Sequence, residues 1–105
     1  MRRASPRRAR IYSAGGIRVN FRTAEATRGG ARVVLTALEL HHLLQYLVEH
    51  RGEIVTRQEL LHAVWGHGVL PITRTVDVRI ASLRRKLEPE LIVTVHGVGY
   101  RLVDA

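Results

Sequence analysis

The chain has no cysteine, which excludes disulfides and thiolate metal sites. Of its 17 basic residues only Lys86 is a lysine, a bias that reads as composition more than design. No apolar run approaches the roughly 18 residues that cross a bilayer, and no secretory core follows the basic start. No membrane partner is expected, and the expected location is cytoplasmic. With 105 residues the chain builds one modest core and has little left for a deep substrate cleft.

Acidic residues are also scarce. Lys+Arg is 17 against 9 for Asp+Glu, a formal charge of +8 and an isoelectric point near 11.4. Such a field favours polyanions. Much of it sits in Arg2, Arg3, Arg7, Arg8 and Arg10, so residues 1–10 read as a disordered basic tail or linker. A solubilising linker and a phosphate-binding arm both remain open for it. Residues 11–105 read as the single folded domain.

Short β-prone runs come first. Ile17-Arg18-Val19-Asn20-Phe21 alternates apolar and polar like a half-buried strand, and Gly29-Gly30 marks a hairpin before Ala31 to Leu35. Thr36-Ala37-Leu38-Glu39 is a capping box opening a helix whose apolar face is Leu40, Leu43, Leu44 and Leu47. Ile54-Val55 is a short extended piece. A second capping box, Thr56-Arg57-Gln58-Glu59, feeds Leu60, Leu61, Val64 and Trp65 and stops at Gly66. Gly68 and Pro71 make Gly66 to Ile72 a loop. A third helix is expected over residues 73–88, stopped by Pro89. Leu91 to Val95 and Tyr100 to Val103 form a final hairpin around His96-Gly97-Val98-Gly99.

The third helix carries the charge. Its stripe of Val76, Ile80, Leu83 and Leu87 turns Arg74, Val78, Ala81, Ser82 and Arg85 away from the core. Thr75, Arg79 and Lys86 flank one side, Asp77 and Arg84 the other. By itself an Arg-rich outer face is a solvated face. Small residues at its centre, however, allow close approach to a groove whose walls the flanking cations reach. Val78 is the odd residue there, an apolar side chain suited to a thymine methyl.

Trp65-Gly66, Arg74-Thr75-Val76-Asp77-Val78, Leu83-Arg84-Arg85-Lys86-Leu87 and Thr94-Val95-His96-Gly97-Val98-Gly99-Tyr100-Arg101-Leu102 together resemble the C-terminal DNA-binding domain of bacterial OmpR/PhoB-type response regulators. The resemblance implies an α+β winged helix-turn-helix: an N-terminal four-stranded antiparallel sheet, three helices and a C-terminal β-hairpin wing. It implies sequence-selective binding of double-stranded DNA in transcription regulation. The helix at 73–88 would lie in the major groove and the wing, 95–101, at the minor groove. Ending at Ala105, the chain fits the C-terminal output module of a two-component (phosphorelay) regulator. The resemblance further implies a second copy on direct-repeat half-sites, and RNA polymerase contact through loop 66–73.

By the same resemblance, Trp65, Arg74, Thr75, Arg84 and Tyr100 fall at backbone-contacting positions, while Asp77, Val78, Ala81 and Ser82 approach bases. Arg79 and Arg85 on the helix, with Thr94, His96 and Gly97 on the wing, complete the candidate site. Two departures stand out: the family often has arginine where this chain has Ala81 or Ser82, and where it has His96. Arginine at 82 is therefore expected to restore a guanine-reading fork.

No enzyme, cofactor or metal is expected. His62 and His67 are separated by Gly66 at poor ligand spacing, and adjacent His41 and His42 point in different directions. Gly97-x-Gly99 lies on a hairpin and not between strand and helix. The competing class is a winged helix used as a protein-interaction module, with Leu70 and Ile72 as its contact.

Overall fold

A computed structural model describes residues 10–66 and 72–103. The expectations for residues 1–9 and for most of the loop after the second helix (67–71) fall outside the described residues, as do residues 104–105.

Strands β1 (Ile11–Ala14), β2 (Ile17–Asn20), β3 (Glu25–Arg28) and β4 (Ala31–Val33) form an antiparallel sheet in chain order. Side chains alternate across a strand, so register fixes which row faces inward. Tyr12 pairs Val19, Val19 pairs Ala26 and Ala26 pairs Val33, one row across the sheet against the core. Gly29 and Gly30 take φ of +58° and +87°, the left-handed pair that a two-residue hairpin requires.

The first helix, α1, is π-wound over Leu38–Leu44 and α-wound over Gln45–Glu49. Leu40, Leu43, Leu44 and Leu47 are buried, as their spacing predicts. The wide first half has no local signature in the sequence. Strand β5 (Val55–Thr56) leads into α2 (Arg57–Trp65), and α3 spans Thr73–Lys86. The last helix ends two residues earlier than expected, because Pro89 opens a 3-10 turn over Pro89–Leu91. Val76, Ile80, Leu83 and Leu87 are its buried stripe, packed with Leu60 and Leu61 of α2.

Strands β6 (Ile92–Val95) and β7 (Gly99–Leu102) form the C-terminal hairpin, and β5 pairs with β7 in a second sheet ordered β5-β7-β6. Gly99 makes this pairing possible. A Cβ there would lie 2.1 Å from the Val55 carbonyl oxygen and 2.8 Å from the Thr56 Cα. The glycine pattern of the wing thus has a packing cause: only a residue without Cβ lets the hairpin lie on the start of α2. The architecture is the expected α+β winged helix, with α3 and the hairpin side by side.

Candidate nucleic-acid interface

Three polar anchors hold α3, and they decide which of its side chains are free. The first joins α3 to α2 and the wing. The Asp77 carboxylate accepts hydrogen bonds from Arg57 Nε at 3.1 Å, Arg57 NH2 at 2.5 Å and the Tyr100 hydroxyl at 2.5 Å. Burial raises the Asp77 pKa, but the Arg57 and Tyr100 hydrogen bonds and nearby guanidinium charge outweigh it, so the net shift is downward. Burial, together with the same contact, pushes the Tyr100 hydroxyl up to about 12. Asp77 and Tyr100 therefore stay in the donor–acceptor state that locks helix to wing throughout the neutral range.

The second anchor joins α3 to the wing along its length. Arg84 Nε donates to the Ile92 carbonyl at 2.9 Å and its NH2 to Thr94 Oγ1 at 2.6 Å, with the guanidinium 5.5 Å from the Tyr100 ring centroid. Thr94 and Tyr100 are thus structural partners of Arg84.

The third anchor comes from α1. Glu39 is 1% exposed, yet its carboxylate accepts from Ser82 Oγ at 2.7 Å and Lys86 Nζ at 2.8 Å on α3, and from the Thr36 N–H at 3.0 Å. Burial alone raises its pKa. The bonds from Lys86, Thr36 and Ser82 override that and bring it down to about 2. A buried charge with this many donors is compensated.

These anchors correct the orientation expected for three residues. Ser82 does not lie opposite the core. It precedes buried Leu83 by one residue, about 100° round the helix, and so sits on the flank that faces α1. The family pattern places Asp77 near bases, whereas its carboxylate is occupied by Arg57 and Tyr100. Lys86, expected to flank a groove, is paired with Glu39.

What remains is a clean outer stripe. Arg74, Val78, Ala81 and Arg85, at i, i+4, i+7 and i+11, are all exposed, with Arg79 exposed beside them and Thr75 half-buried. Val78 is 59% exposed. Among the described residues, Arg74, Arg79 and Arg85 enter no ion pair. At the hairpin turn His96 and Gly97 are exposed, Gly97 at φ +78°, and Trp65 is half-buried against the core. Between α2, the start of α3 and the wing runs a shallow cleft lined by Arg57, Asp77, Thr94, His96, Gly97 and Tyr100. Sequence reasoning missed Arg57 and Glu39 as determinants of this surface. Their partners lie 20 and more than 40 residues away, and no local pattern announces them.

Comparison with known proteins agrees with the winged-helix fold. Residues 30–102 match the family model described as transcriptional regulatory protein, C terminal. The chain belongs to that family, the OmpR/PhoB-type winged-helix DNA-binding domains of response regulators. It is 41% identical over 90 residues to the uncharacterized transcriptional regulatory protein YkoG of Bacillus subtilis, covering 82% of this chain and 39% of YkoG. The chain thus spans about two-fifths of that relative's length. Among solved structures, it resembles the DNA-binding domain of Bacillus subtilis CssR (TM-score 0.75, 35% identity, 83% of this chain and 99% of that one). It also resembles the Klebsiella pneumoniae RstA DNA-binding domain in complex with the RstA box (TM-score 0.77, 31% identity, 90% and 98%). Among the described residues no helix is long and apolar enough to cross a membrane.

Proposed function

We propose that this chain reads duplex DNA with α3 in the major groove and the hairpin of β6 and β7 at the minor groove. Base reading falls to Val78 and Ala81 at the centre of the exposed stripe, and phosphate contact to Arg74, Arg79 and Arg85. Trp65, Thr75, Thr94, His96, Gly97 and Tyr100 border the same surface, with Arg84 bracing the wing. The observation that carries this reading is the stripe itself: the anchors consume every other polar side chain of α3 from Asp77 onward and leave cations flanking a small apolar centre. Such a face suits a polyanion whose groove floor presents thymine methyl groups.

The domain then serves as the C-terminal output module of a two-component-type regulator acting in the cytoplasm, with residues 1–10 as its basic linker. Binding as a second copy on direct repeats, and RNA polymerase contact through loop 66–73, belong to the same proposal. They are supported by family membership alone.

Salt titration tests the central part. Neutralising a phosphate at each of Arg74, Arg79 and Arg85 gives a slope of log K against log salt of about −2.7. A slope near zero, with retained folding, assigns the face to protein contact instead.

A further inference from the structure

Glu39 is the feature of this surface that DNA reading does not by itself require. A carboxylate buried to 1% exposure costs desolvation free energy, and a capping role needs only its backbone-facing oxygen. Its reciprocal cap with Thr36 is complete: Thr36 N–H donates to Oε1 at 3.0 Å and Thr36 Oγ1 accepts from the Glu39 N–H at 3.1 Å. Yet Oε1 also accepts from Lys86 and Oε2 from Ser82, one helical turn apart on α3. The only lysine of the chain, 34% exposed, is thereby turned from the flank of α3 toward α1, and the Ser82 hydroxyl beside it is engaged as well.

We propose that Glu39 is a specificity-positioning residue: by holding Lys86 and Ser82 against α1, it withholds a cation and a promiscuous hydrogen-bonding group from the DNA. A free lysine on a groove wall binds any phosphate and adds affinity for every sequence alike. A free serine hydroxyl donates and accepts, so it bonds to several base edges without choosing. Capturing both leaves readout to Val78 and Ala81, and lowers sequence-independent binding more than sequence-dependent binding. The contact also fixes the roll of α3 about its axis, because residues 82 and 86 lie on one side of the exposed stripe.

This inference rests on the DNA-binding reading, and the experiment separates the two. Glu39→Gln keeps shape and acceptor oxygen while removing the charge that holds Lys86. Binding of the 105-residue chain to a duplex selected from a random pool, and to a scrambled duplex, is followed by fluorescence anisotropy at several salt concentrations. In Glu39→Gln, affinity for the scrambled duplex is expected to rise several-fold, the selected-to-scrambled ratio to fall, and the salt slope to steepen by about 0.9. Adding Lys86→Met to that variant is expected to return the slope to the wild-type value. Lys86→Met alone is expected to leave the slope unchanged, and a slope that falls there by about 0.9 overturns the proposal even where Glu39→Gln unfolds.

A merely structural Glu39 lowers affinity for both duplexes by one factor and leaves the slope alone, and that result overturns the proposal. So does a slope that falls by about 0.9 in Lys86→Met alone, since Lys86 then already touches phosphate. A wild-type slope near zero overturns the DNA-binding reading and this inference with it. A steep wild-type slope indifferent to residues 39 and 86 overturns only this one.

Discussion

Two four-residue segments, Thr36-Ala37-Leu38-Glu39 and Thr56-Arg57-Gln58-Glu59, carry the same helix-opening pattern and meet different ends. In both, the threonine hydroxyl accepts the glutamate N–H, at 3.1 Å and 3.0 Å. The glutamates then part. Glu39 turns back on Thr36 and is buried against α3, whereas Glu59 is exposed and accepts the Tyr46 hydroxyl at 2.5 Å. Burial, with that bond and the neighbouring acidic charges, pushes the Tyr46 hydroxyl up to about 12. The cause is what each helix packs against. Glu39 is followed by Leu40 facing the core beneath α3, while Glu59 lies on an outer side that Gln58 and Ala63 also leave exposed. One motif supplies a cap in both places, and tertiary packing makes only one of them a clasp on the DNA-facing helix.

The comparison breaks most visibly on truncation. Glu39→Ala strips a buried carboxylate from Lys86, Ser82 and Thr36 and is expected to cost about 3 kcal/mol or more in urea unfolding. Glu59→Ala removes an exposed hydrogen bond and is expected to cost no more than about 1 kcal/mol. Equal losses would mean that the buried contacts contribute nothing beyond capping.

Acid unfolding sharpens the same contrast. The folded pKa of Glu39, about 2, lies below the ordinary 4.5, so its contribution is fully present above pH 4.5 and is lost as pH falls toward 2. That difference corresponds to roughly 3 kcal/mol across this window, as an order of magnitude. In Glu39→Gln the part of the acid limb between pH 4.5 and 2 is expected to flatten. An unchanged limb in Glu39→Gln would show that the carboxylate is not held ionised by α3.

Smaller effects follow at the caps and on the flank. Thr36→Ala and Thr56→Ala are each expected to cost about 1 kcal/mol, since both lose the hydroxyl bond to the N–H three residues on. Ser82→Arg is expected to pair with Glu39 and leave the selected DNA sites unchanged. A new guanine preference in that variant would return residue 82 to the reading face, where the sequence pattern by itself puts it.

Periodicity makes much of this molecule legible from its residues alone. The stripes of Leu40, Leu43, Leu44 and Leu47 and of Val76, Ile80, Leu83 and Leu87 are buried because a 3.6-residue repeat leaves no other face for them. Gly29-Gly30 and Gly97 are legible because their left-handed backbone demands are local, whereas Gly99 is required by β5, which packs on it from more than 40 residues away. Ser82 is harder to place, because a helical wheel resolves opposite from adjacent only coarsely, and what occupies the flank comes from another helix. Asp77, Arg57 and Tyr100 meet only once α2, α3 and the wing are assembled, so no local pattern contains their contact. The π-wound start of α1 has no local signal either.

The central claim is that the stripe of Arg74, Val78, Ala81 and Arg85 reads DNA, with Val78 at its centre. The most direct test compares the sites that wild type and Val78→Ser select from a random duplex pool. Val78 is exposed, so the fold is expected to be unaffected. A stripe that reads bases predicts a changed preference at one or two base pairs, with the salt slope of binding unchanged, because Val78 carries no charge. Identical selected sites for the two proteins would contradict it.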